Sequence, residues 1–252
     1  MVAIPGRIAP FGGKLYLAGL ALAFFSTACG QSPQTLASPP PYTGKTVDAS
    51  TLASIGTTCR SGGSTQCLAI RYIVFQSPDP TPQASPAFVP VVSQEVILNN
   101  LTTINQIWQS CGIQFEIEEF GAVSPEDYGI KSNPSTFTDL DQIRGAFGSN
   151  SQLLVVTTDP WDRTGTLGQT SANGWTTLPL APPYGTILEQ VVGDYPFLIA
   201  HELGHYLNLL HVSDYLDLMN PLVYSDSVSL SASQCSGAEA AIQAYWTVML
   251  RY

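Results

Sequence analysis

Hydrophobic and polar positions along the chain fall into two alternating rhythms. Residues 69–77, AIRYIVFQS, alternate and are β-branched, which predicts a strand. PDPTPQASPAFVP then reads as a Pro-rich loop. From Val92 the period lengthens: Val92, Val96, Ile97, Leu101, Ile104, Ile107 and Trp108 share one helical face, and Gly112 stops the run. IQFEIEEFGAV returns to alternation, with Ile113, Phe115 and Ile117 set against Gln114, Glu116 and Glu118. That pattern predicts a strand with one wet face, and it makes the Glu run a solvated surface rather than a carboxylate site. Residues 137–147 can form a short helix, and QLLVVTTD reads as a short buried strand. Residues 160–184 are loop-like, with room for one edge strand. No internal repeat breaks this order. Strand, helix, strand, helix, strand predicts an α/β (α+β) domain on a mixed sheet.

The next segment breaks both rhythms. FLIAHELGHYLNLLH is almost continuously apolar, as a buried helix is, with Asp194 placed to cap it and Pro196 in its first turn. Into this run the chain sets a glutamate and all three of its histidines, His201, His205 and His211. Residues four apart on a helix turn by ~400° and rise ~6 Å, so His201 and His205 emerge from one face, one turn apart. That spacing lets two imidazole nitrogens hold one zinc ion. Glu202, one step round, lies near such a metal without being a ligand, where it can take a proton from water. His211 would point away on a continuing helix, so the chain must turn near Asn208. Asn is second only to glycine in the left-handed conformation such a turn needs.

Composition narrows the partners. The 252 residues are 44% hydrophobic and 11% charged, with net charge −10 and a basic cluster nowhere. The length suits one globular domain with appendages. Such a chain is a poor candidate for nucleic acid or for an anionic membrane surface. Residues 1–28 have the layout of an export signal: Arg7 and Lys14, an apolar run from Leu15 to Phe25, then Ser26, Thr27 and Ala28. The run is short for a permanent membrane anchor, the other reading. Small residues before Cys29 resemble a bacterial lipoprotein signal, in which that cysteine is lipidated, although Ser26 stands where leucine is usual. A Pro/Ser/Gln-rich stretch follows, so residues 29–68 read as a tether and N-terminal segment that also has the means to cover a cleft. Export to a cell envelope, lipid-anchored or secreted, is therefore expected. Setting Cys29 aside leaves Cys59, Cys67, Cys111 and Cys235, enough for two disulfides in three possible pairings. A local Cys59–Cys67 bridge around RSGGSTQ would leave Cys111 for Cys235.

HELGHYLNLLH resembles the extended zinc-binding motif of the metzincins, HExxHxxGxxH. It matches at His201, Glu202, His205 and His211 and departs at Asn208. Met219 in DLMNP, eight residues after His211, resembles the Met-turn that underlies the metal in that family. The helix before CGIQFEI and the segment LSASQCSGAEAAIQAYW resemble the family's lead-in and its C-terminal helix, the latter with a capping box at Ser231 and Gln234. The resemblance spans residues 69–252 and sits nearest the pappalysin-like or related bacterial branches. It implies a zincin-like fold: a mixed twisted sheet with an active-site helix, then a small C-terminal subdomain carrying the Met-turn and a terminal helix.

The resemblance also implies a monomeric zinc endopeptidase acting on protein or peptide. His201, His205 and His211 would hold one Zn²⁺, with Glu202 as general base and Met219 beneath the metal. Some metzincins carry a tyrosine two residues after that methionine; here the position is Pro221, with Tyr224 nearby. By analogy the cleft walls come from residues 160–190 and 212–226. The rival reading is a catalytically silent, zinc-containing surface lipoprotein that binds a partner. It needs a fourth protein ligand, for which Asp214 or Asp217 is placed.

Overall fold

The computed structural model describes Tyr42 and residues 45–47, 65–78 and 88–252. The expected leader 1–28, Cys29 and Cys59 lie outside the described residues.

The longest strand, β2 (Gln66–Pro78), organises the sheet. It is flanked by parallel β4 (Ile113–Val123) and parallel β5 (Leu153–Thr157). Beyond β5 come parallel β7 (Thr186–Leu188) and antiparallel β6 (Gly174–Thr176), which forms the edge. β1 (Lys45–Thr46) pairs with β4 on the far side. β3 (Phe88–Pro90) and β8 (Leu250–Arg251) pair antiparallel with the two ends of β2. The sheet is thus mixed. Lys45, Thr46 and Gln66–Leu68 are strand residues inside the segment expected to be a tether.

Period-two alternation divides the core. Leu68, Ile70, Tyr72 and Val74 of β2 face one cluster, while Ile73 and Phe75 face another. β5 does the same with Leu153 and Val155 against Leu154 and Val156. Strands buried on both faces read as continuous apolar runs. The first face is covered by α1 (Gln94–Trp108) and α3 (Pro196–Tyr206), the second by α2 (Phe137–Phe147). α1 matches the helical period closely, but Val92 precedes it and Val96 is exposed. Gly112 ends that region at φ 64°, where side chains are strained. Trp108 donates its indole N–H to the Ala200 carbonyl at 3.2 Å, fixing α1 on α3.

Two local expectations change. The N-cap of α3 is Tyr195, without a side-chain cap, rather than Asp194. The Asp194 carbonyl instead accepts from the Asn100 side chain, so packing on α1 sets where α3 begins. The alternation of β4 breaks at a bulge opposite Ile70 and Arg71. Glu118 then pairs with Arg251 and Gln152, and Glu119 with Arg71, so these two are half-buried pairing groups rather than a solvated face.

α3 ends in a Schellman motif. Leu209 N–H bonds back to Gly204 O and Asn208 N–H to His205 O, both at 2.9 Å, and Asn208 sits at φ 64°. The C-terminal part carries α4 (Ala232–Ala241), capped reciprocally by Ser231 and Gln234. Cys111 and Cys235 are disulfide-bonded across 124 residues, tying α4 to the end of α1. Cys67 is also disulfide-bonded.

Two expectations follow for stability. Replacing Cys111 and Cys235 together by Ala should lower the unfolding free energy by about 4–5 kcal/mol, on the loop entropy released, as read by urea denaturation. A loss under about 1 kcal/mol would mean that the staple adds little to the packing. Asn208 is exposed, so its substitutions act through the backbone alone. Asn208→Ala should fall about 1 kcal/mol below Asn208→Gly in the same measurement. Equal stability of the two variants would remove the left-handed constraint.

Candidate metal centre

His201 and His205 leave α3 one turn apart, and the turn at Asn208 returns the chain so that His211 meets them. The three Nε2 atoms lie 3.1, 3.1 and 3.3 Å from one another. Among the described residues, they are the group of histidine, cysteine or carboxylate side chains able to hold a metal. His201 Nδ1 donates to Leu218 O at 2.6 Å, and His205 Nδ1 donates to Leu209 O at 2.8 Å. Protons on Nδ1 leave the Nε2 lone pairs bare and facing each other. Burial, reinforced by the neighbouring imidazoles, pushes His201 down to about 3. Burial pushes His205 down to about 4 and lowers His211 as well. Three imidazoles with converging Nε2 atoms are a donor set zinc takes. Tetrahedral Zn–N bonds of about 2.0–2.1 Å put nitrogens about 3.3–3.4 Å apart, close to the spacing here.

The C-terminal part packs against α3 at Gly204. Met219 is fully buried, and a Cβ on Gly204 would lie 2.4 Å from its sulfur. The glycine of HELGH is therefore required by a close approach of Met219, not by a turn. Asp217 Oδ1 accepts from Met219 N–H at 2.7 Å and from the Gln234 side chain at 2.9 Å. Asp214 Oδ1 accepts from Leu216 N–H. Both aspartates are thus engaged with backbone or side-chain donors, and neither joins the histidine group.

Glu202 is buried beneath β6, and burial pushes its carboxyl up to about 7 against the Thr176 hydrogen bond and the Arg144 charge. Thr176 donates to Glu202 Oε2, and Thr176 and Thr186 hydroxyls are 2.7 Å apart. A Cβ on Gly174 would lie 2.7 Å from Glu202 Oε1. None of Gly174, Thr176, Thr186 or Arg144 carries a signal in the sequence, since each matters through register across the sheet. A cleft of 490 Å³ opens over the histidines. Its walls come from Ser171–Thr176 and from Pro221–Tyr224, so both segments named by analogy contribute, Pro221 and Tyr224 among them. Among the described residues, no helix is long and apolar enough to cross a membrane.

No protein-family model matches the sequence, and no curated protein matches it. Among solved structures the chain is similar to metalloproteinase-II from Bacteroides fragilis, at 16% identity and a TM-score of 0.45. The likeness covers 76% of this chain and 60% of that one, so this chain spans less than two thirds of its length.

Proposed function

We propose that the protein is a zinc-dependent endopeptidase of metzincin type with a zincin-like fold. The observation that carries the reading is the convergence of three histidine Nε2 atoms beside a buried glutamate, at the base of an open cleft. His201, His205 and His211 would hold the ion, and Met219 would support them from below. Bound zinc would supply a Lewis acid and acidify a water. Glu202 takes the proton of the attacking water at Oε1 and delivers it to the leaving amine. The edge strand β6 offers its outer backbone to an extended peptide by strand addition. A structural zinc closes with four protein ligands. Neither Asp214 nor Asp217 joins the histidine group, which speaks against the silent binding module. Export, with lipidation at Cys29, belongs to the same reading, and the Cys111–Cys235 bond suits an oxidising compartment.

Glu202→Gln should abolish cleavage of casein while zinc content stays at one ion per chain by elemental analysis. Chelation should remove activity and lower the melting temperature of the wild type, and added zinc should restore both. Substantial residual cleavage by Glu202→Gln would sink the general-base assignment. In a bacterial host, Cys29→Ala should move the protein from the detergent phase to the aqueous phase on Triton X-114 partition. Unchanged partition would remove the lipid anchor.

A further inference from the structure

We infer that Thr176 is a positioning residue for Glu202, holding one carboxylate oxygen against β6 so that the other faces the reacting water. The inference rests on the peptidase reading and concerns how the base is aimed. Thr176 has a single hydroxyl proton, and it goes to Glu202 Oε2. The 2.7 Å contact with Thr186 must then run from Thr186 to Thr176. Two hydroxyls in series polarise each other toward the carboxylate. Thr186 is fully buried and is the register partner of Thr176, so the strand pairing sets the two hydroxyls opposite each other.

That register has its own lock. Arg144, 2% exposed, donates Nε–H to Gly185 O at 2.9 Å and an Nη2–H to Trp175 O at 2.7 Å. Those carbonyls belong to the residues just before Thr186 and Thr176. One guanidinium therefore clamps both strands where their hydroxyls meet. Gly174 completes the arrangement. It lies two residues before Thr176 on the same strand face. A Cβ there would crowd Glu202 Oε1, the oxygen without the Thr176 bond. β6 thus bonds one oxygen through Thr176 and makes room for the other at Gly174.

The test uses the zinc-loaded full chain with a fluorogenic peptide made from a casein cleavage site. Thr176→Val should lower kcat by about 10–100-fold, with KM within about twofold and zinc content unchanged. Thr176→Ser should recover kcat to within about threefold, which a packing role for the lost methyl would not allow. Should Thr176→Val fail to fold, Thr186→Val removes the second hydroxyl without touching Glu202 and should show the same split. Crystal structures of the variants give a readout independent of activity. The Glu202 carboxylate should leave β6 in Thr176→Val and stay in Thr176→Ser. A Thr176→Val enzyme with wild-type kcat, or a Glu202 that has not moved, would overturn the inference. If the zinc-loaded wild type cleaves no peptide, the peptidase reading fails instead, and the position of Glu202 in the variant crystals still decides whether Thr176 holds it.

Discussion

Three imidazole lone pairs aimed at one point repel each other unless a cation lies between them. The rest of the domain is arranged to hold that unfavourable convergence. A free histidine would rotate or take up a proton. Here His201 and His205 are denied both options, because their Nδ1 protons are committed to Leu218 O and Leu209 O. Burial makes the protonated forms costly. Each carbonyl acceptor comes from chain that follows α3, so orientation of the helical ligands depends on what happens after the helix ends.

That dependence explains why the helix stops where it does. The Schellman turn at Asn208 brings Leu209 back over Gly204, which presents the Leu209 carbonyl to His205 and sends His211 toward the other two rings. One left-handed residue therefore both orients a ligand and delivers one. Asn achieves this without glycine because a single αL residue costs Asn little, its short side chain standing exposed. Asn208 thus supplies with a side chain the left-handed turn that a glycine would supply without one.

What could be read from the sequence was local. The α1 period, the alternation of β2 and β4, the stop at Gly112, the capping box at Ser231 and Gln234 and the left-handed turn at Asn208 each follow from neighbours in the chain. The pairing of His201 with His205 was equally visible, because helix geometry brings four-residue spacings together, and His211 joins them through the turn at Asn208. What could not be read depends on distant partners. β1 and β8 have two residues each, too few for any period to register. Asp194 has the right chemistry for a cap, but Asn100 takes its carbonyl and the helix starts one residue later. Arg144 lies in an amphipathic helix, where a charge is ordinarily solvated. Its burial follows from two carbonyls that only the sheet register places before it.

The same distinction separates how the two sides of the site are held. On the C-terminal side, the Cys111–Cys235 bond anchors α4, whose Gln234 steadies Asp217, which fixes Met219 N–H next to the carbonyl that orients His201. On the other, α2 sends Arg144 into the β6–β7 ladder, which sets the hydroxyls over Glu202. α3 contributes the reactive groups, but its neighbours on both sides fix their directions. A catalytic constellation needs its supporting contacts to be tighter than its own freedom to move. In this chain those contacts come from segments about 60 residues before the motif and 30 after it, a span over which sequence spacing carries no geometric information.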